Sequence, residues 1–148
     1  MIRPFHPRDA KICHGIFSDC TRTDPYIHPQ TQRRLIEMDS PVNFIIRSRE
    51  YYTVVYDQDA EVWATGGLAR NEIRALYVAP TRQRQGIGTK IMEHLESQVD
   101  SDRFDLIFLN ASPSAEPFYH RMGYRSIRSR SYQIDGWPLH TIYMEKKI

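Results

Sequence analysis

The chain has 148 residues, 41% hydrophobic and 26% charged, with a formal net charge of +2 at pH 7. That length supports one ordinary core, expected as a single domain over residues 1–148, and is short for two. Interspersed acids and bases exclude the strongly basic balance of a nucleic-acid-binding chain, and no apolar run approaches a membrane span.

The opening residues, Met1 to Pro7, carry no apolar signal core, so a cytoplasmic protein is expected. Residues 2 to 6 read as a short strand stopped by Pro7, and Arg8-Asp9 leads into a first helix with Asp9 as its cap or first-turn acid. Cys13 and Cys20 fall on roughly one face of that helix with Ile16 and Phe17. Their separation corresponds to about 10 Å of helical rise, too far for a disulfide, and two buried thiols are expected. A loop through Thr23, Asp24, Pro25 and Pro29 precedes a second helix from about Thr31 to Met38, which Asp39-Ser40-Pro41 ends.

From Asn43 the pattern turns strand-like. Phe44-Ile45-Ile46, Tyr51 to Tyr56, Val62 to Thr65 and Glu72 to Val78 are apolar or aromatic runs separated by polar clusters. Asp57-Gln58-Asp59-Ala60 and Arg70-Asn71 read as hairpin turns, and Gly66-Gly67 as a bend or bulge. An antiparallel meander is the simplest assembly.

Leu76 to Met92 is the most specific stretch. A strand ends in Pro80, two arginines occupy the turn, and Gly86 and Gly88 open a helix whose apolar positions are Ile87, Ile91, Met92, Leu95 and Val99. Paired glycines let backbone amides approach a ligand without a Cβ in the way, and a helix start adds unpaired N–H groups, so the arrangement suits a phosphate or pyrophosphate. The dinucleotide fingerprint fails because Ile91 stands where its third glycine belongs, and the P-loop fails because the order is Gly88-Thr89-Lys90.

After this helix, Asp100-Ser101-Asp102 closes a turn and Phe104 to Asn110 forms an apolar strand. Strand, helix, strand implies a right-handed crossover between parallel neighbours, with ligands beyond their carboxyl ends. Ser114 to Tyr124 reads as a short helix capped by Ser114, with Pro117 in its first turn and Gly123 as terminator. Two final strands, Tyr124 to Tyr132 and Leu139 to Lys147, are joined through an Asp135-Gly136 turn. Arg128 and Arg130 share one face by alternation, with Arg125 just before them, and read as charge guarding an exposed edge.

Two of these segments carry a resemblance. Gln83-x-x-Gly86-x-Gly88, preceded by Val78-x-Pro80-x-x-x-Arg84, resembles the coenzyme A pyrophosphate loop of the GNAT superfamily of N-acetyltransferases. Ala115-x-x-Phe118-Tyr119-x-x-x-Gly123-Tyr124 is similar to the last helix of the same superfamily, at the expected distance. Gln85 departs from the small or basic residue common before the first glycine.

The resemblance implies an α/β (α+β) fold with a mixed, mostly antiparallel sheet of roughly six to seven strands, helices on both faces, and two parallel central strands splayed around the cofactor. It implies acetyl-CoA as co-substrate and an amine as acceptor, with no metal, nucleic acid or membrane, and it allows a homodimer. Cofactor contacts would come from Leu76, Tyr77, Val78, Arg82, Gln83, Arg84, Gln85, Gly86, Ile87, Gly88, Thr89, Asn110 and Tyr119. Tyr119 would be the general acid and Glu72 the base, while Tyr26, Ile27, His28, Trp137 and His140 are acceptor-facing candidates. His120 and Arg121 read as surface residues. An acyl-CoA sensor without turnover and an RNA-binding scaffold are the competing readings, the latter without an aromatic RNA-binding motif.

Overall fold

Turn chemistry sets the sheet. Asp59 and Ala60 adopt φ of 53° and 63°, and Asp135 and Gly136 adopt 52° and 84°, the paired left-handed conformation of tight two-residue hairpins. In the computed structural model, which describes residues 1–148, these turns join β2 (Tyr52–Gln58) to β3 (Glu61–Ala69) and β6 (Arg125–Ile134) to β7 (Trp137–Lys147). The other strands are β1 (Ile2–Pro4), β4 (Glu72–Val78) and β5 (Leu106–Ala111). The helices are α1 (Ala10–Arg22), α2 (Pro29–Met38), α3 (Pro41–Glu50), α4 (Ile87–Ser97) and α5 (Glu116–Arg121).

The seven strands form one sheet in the order β1-β2-β3-β4-β5-β7-β6, with β4 and β5 its parallel pair and every other pairing antiparallel. The mixed, mostly antiparallel sheet expected from sequence is therefore present, with helices on both faces. On one face α4 buries Ile87, Ile91, Met92 and Leu95 against Val54, Ile73, Ile107, Leu109 and Met144. Gly66 permits that approach, because a Cβ there would lie 2.9 Å from the Ile91 side chain. On the other face Ala10, Cys13 and Phe17 of α1 pack with Phe44 and Val55.

Three expectations are corrected. Phe44-Ile45-Ile46 is helical, not a strand: the Asn43 amide donates to Ser40 Oγ, Pro41 opens the first turn, and only Phe44 of α3 is buried. A cap and a single buried stripe outweigh the β preference of neighbouring isoleucines. Asp9 makes no side-chain cap to α1; its carboxylate accepts from the His6 amide at 2.8 Å and from both Arg3 terminal nitrogens at 2.9 and 3.0 Å. Ser114 does not cap α5 either, because its hydroxyl donates to Asp24 Oδ2 at 2.7 Å.

The feature that shapes the site is a bulge. Thr65 pairs with Tyr77 and Gly67 with Arg74, so β4 carries one more residue than β3 across this interval. The surplus falls at Ala75, which takes φ 51°, rather than at the glycines opposite. Glu72↔Phe108 is the one registered pair between β4 and β5; beyond it the strands diverge and leave a gap through the sheet.

Candidate active site

Two clefts open onto this gap from opposite faces. The first, about 640 Å³, is lined on β4 by Leu76 and Val78, on the turn into α4 by Arg82, Gln83, Arg84, Gly86, Ile87, Gly88 and Thr89, and on the α5 side by Ser114, Ala115, Phe118, Tyr119 and Arg121. The second, about 450 Å³, is lined by Glu72 to Tyr77 on β4, Leu109 to Ser112 at the end of β5, and again Ala115 and Tyr119. Both volumes are typical of small-molecule sites. Leu76, Ala115 and Tyr119 line both clefts, so they meet there.

In the first cleft Arg84 and Gly86 adopt φ of 63° and 79° around the turn. The first amide of α4 to find a backbone partner is that of Lys90, which donates to Gly86 O at 3.1 Å; the amides from Arg84 to Thr89 have none. Successive free N–H groups at a helix start form a concave anion cradle. Nothing lies within 4 Å of a Cβ built at Gly86, whereas one at Gly88 would meet the Phe118 ring at 3.3 Å. Arg82 is held at the rim with its guanidinium 3.9 Å from the Trp63 ring centre and 3.6 Å from the Glu61 carboxylate.

The exposed edge of β4 supplies a second element. Ala79 N–H donates to Trp63 O of β3, so by the alternation of an antiparallel ladder the N–H and carbonyl of Val78 point away from β3, into the gap. The Val78 carbonyl accepts from Gln83 Nε2 at 3.0 Å and Cys20 Sγ at 3.1 Å.

Tyr119 is 7% exposed. Burial, then neighbouring Tyr77, raises its phenol well above the ordinary tyrosine value, and no hydrogen bond offsets this. Tyr77 is itself pushed up to about 12, chiefly by burial, and packs edge-on against Phe17 at 5.3 Å between ring centres. In the second cleft, Glu72 accepts from Arg74 Nε at 2.7 Å, with its side chain 18% exposed.

The sequence from residue 23 to 147 matches the model of the acetyltransferase (GNAT) domain. The chain belongs to the GNAT family. Solved structures share this GNAT fold: a GCN5-related N-acetyltransferase from Rhodopseudomonas palustris has a TM-score of 0.92 at 22% identity, over 100% of this chain and 95% of that one. YncA, a putative acetyltransferase from Salmonella typhimurium solved with its cofactor acetyl-CoA, scores 0.71 at 13% identity, over 99% and 92%. The PaiA N-acetyltransferase of Thermoplasma acidophilum, in complex with coenzyme A, scores 0.73 at 18% identity, over 100% and 98%. No curated protein matches the chain by sequence. No helix is long and apolar enough to cross a membrane.

Within this GNAT framework the structure gathers Leu76, Val78, Arg82, Gln83, Arg84, Gly86, Ile87, Gly88, Thr89 and Tyr119 around the first cleft. Tyr77 and Asn110, expected at the cofactor, instead line the second cleft with Glu72, and Gln85 lines neither. Asn110 is turned there by the pleat of β5, whose buried Leu109 and Ala111 face the opposite way. His28 stacks on Trp137 at 4.4 Å between ring centres, tying the α1–α2 loop to the β6–β7 turn. His140 Nδ1 bonds Ser131 Oγ at 2.9 Å. Arg121 is exposed, as expected, yet borders the first cleft. The signal for it was available: Ala115, Phe118 and Arg121 recur every third residue along one stripe.

Proposed function

We propose that the protein is an acetyl-CoA-dependent N-acetyltransferase in which cofactor and acceptor amine meet through the gap in the sheet. The observation that carries this reading is the pair of clefts, one an amide-lined cradle and the other polar, joined at Tyr119. Free amides from Arg84 to Thr89, open space over Gly86, and Arg82 at the rim fit a diphosphate. Acetyl-CoA, when bound, would supply an activated acetyl thioester.

The chain's own groups account for the rest. Val78 N–H polarises the thioester carbonyl from the free edge of β4. The amine nitrogen bonds to the acetyl carbon as the carbon–sulfur bond breaks, with no covalent enzyme intermediate. Tyr119, kept neutral by its burial, gives its proton to the departing sulfur. Amines are protonated at neutral pH, so a base must take one proton before attack; Glu72, in the second cleft, takes it through water, and the second proton shed by the nitrogen as the amide forms restores the Tyr119 phenol.

Incubating the protein with acetyl-CoA and a panel of amines while following free thiol tests the proposal. Amine-dependent thiol release is the expected result. A coenzyme-induced rise in Tm with no thiol release for any amine would leave a sensor in place of an enzyme.

A further inference from the structure

Beyond the second cleft the sheet continues as β5, β7 and β6, and on the α1 side α2 reaches it at the start of β7, where Thr31 Oγ1 donates to Pro138 O at 2.9 Å. Register places Asn110, Tyr143 and Arg128 in one cross-strand row. The neighbouring rows add Phe108, Glu145 and Arg125 on one side, and Thr141 and Arg130 on the other. All of β6 except Ile134 is exposed.

Three arginines therefore share this face, and none is in an ion pair. The acids beside them are engaged elsewhere: Glu145 accepts from the Tyr143 hydroxyl at 2.8 Å, Glu72 from Arg74 at 2.7 Å, and Asp135 lies 2.7 Å from Arg34. Arg128 lies over the Tyr143 ring at 4.7 Å, and Tyr143 in turn approaches Phe108 at 5.7 Å. Charges that only guard an edge strand against pairing need no common direction. These all point to the side on which the second cleft opens, in line with Asn110 at its wall.

We propose that this face docks the acceptor as an extended peptide, with its α-amine in the gap beside Tyr119 and acidic side chains in the following positions against Arg128 and Arg130. The proposal rests on the acetyl-transfer reading. Two inter-strand spacings carry the row from Asn110 to Arg128, about 10 Å, which is the span of roughly three extended residues. Arg130 lies about 7 Å from Arg128 along β6, at right angles to that row, so the two guanidinium groups flank the end of such a chain from neighbouring rows and can meet acidic side chains of successive residues there. With three arginines against Glu145, the excess of positive charge on this face disfavours polyamines and lysine-rich peptides.

The test uses full-length protein with saturating acetyl-CoA and peptides of equal length whose second to fifth residues are acidic, neutral or basic. Acidic peptides should exceed neutral ones by about tenfold in kcat/KM, as expected for two exposed ion pairs, and the advantage should shrink with added salt. Arg128→Glu with Arg130→Glu should reverse the ranking, and the Gln pair should flatten it. Both variants should keep the coenzyme-induced rise in Tm, showing an intact fold and cradle. Anisotropy of a C-terminally labelled acidic peptide, with coenzyme A present, reads docking apart from turnover. Charge-selective binding without acetylation would uphold the docking face and sink the acetyl-transfer reading. Acetylation with equal rates for acidic and basic peptides, a ranking unmoved in the variants, or preference for free small amines over peptides would overturn the docking face.

Discussion

In the proposed reaction Tyr119 concentrates the chemistry of the site in one side chain. It lines both clefts, and burial raises its phenol above the ordinary tyrosine value, so the proposed mechanism uses it as a donor rather than a base. Tyr119→Phe removes the donor and little else: kcat should fall at least about 100-fold, within the usual range for a positioned acid. Coenzyme affinity should stay within about threefold, because the cradle is backbone. Single-turnover kinetics and calorimetry check the two halves separately, and an unchanged rate would rule the phenol out. Tyr119 was legible in the sequence because its neighbours Ala115, Phe118 and Gly123 hold a fixed local spacing. The Cys20 thiol on the Val78 carbonyl and the Ser114 hydroxyl on Asp24 were not, since they join residues 58 and 90 apart in the chain.

At the scale of elements, β4 and α4 were readable almost to the residue, because a period of two gives way to a helical period across one glycine-marked turn. The α3 segment was not. Its aliphatic run has strand composition, and only the cap at Ser40 and the packing of Phe44 on α1 decide for helix. Two substitutions separate the tasks that glycines perform around α4. Gly86→Val places a β-branched residue at φ 79° on an open surface, a strain of about 1–2 kcal/mol, so it should weaken coenzyme binding about tenfold through a reshaped cradle as well as lower the Tm of the free protein by a few degrees. Gly66→Val drives a side chain into Ile91, Leu76 and Leu95. Overpacking of this kind costs about 1–3 kcal/mol, read as a Tm lower by roughly 3–10 °C, whether or not coenzyme is present. Identical thermal and binding profiles for the two variants would refute this division.

Over the whole molecule, the first strand is fastened by charge. Arg3 reaches Asp57 on β2 at 2.8 Å and Asp9 at the entry to α1 at 2.9 Å. Burial alone pushes the Asp9 carboxyl up, but hydrogen bonds from Arg3 and the His6 amide, together with the Arg3 charge, hold it below the usual carboxylate value. A group depressed in the folded state contributes stability above its unfolded pKa, about 4, and loses that contribution as the pH falls through the folded value. Urea midpoints should therefore decline on acidification below about pH 4, and Asp9→Asn should lower the midpoint at pH 6 while flattening that decline. A variant with the same acid slope as the parent would show that Asp9 is not the group responsible.

The extra residue at Ala75 does more than hold β4 and β5 apart. Because side chains alternate strictly along a pleat, one surplus residue inverts the parity of everything on its amino-terminal side. Glu72 and Arg74 consequently look out on the same side as Tyr77, at even and odd numbers alike, while Ile73 turns inward to α4. Excising Ala75 would restore regular alternation from Leu76 to Arg74 with Glu72 and Arg74 still on the Tyr77 side, so it would alter the aperture without turning the carboxylate inward. The side on which Glu72 looks out is thus fixed by its pairing with β3, and the aperture can be altered by itself.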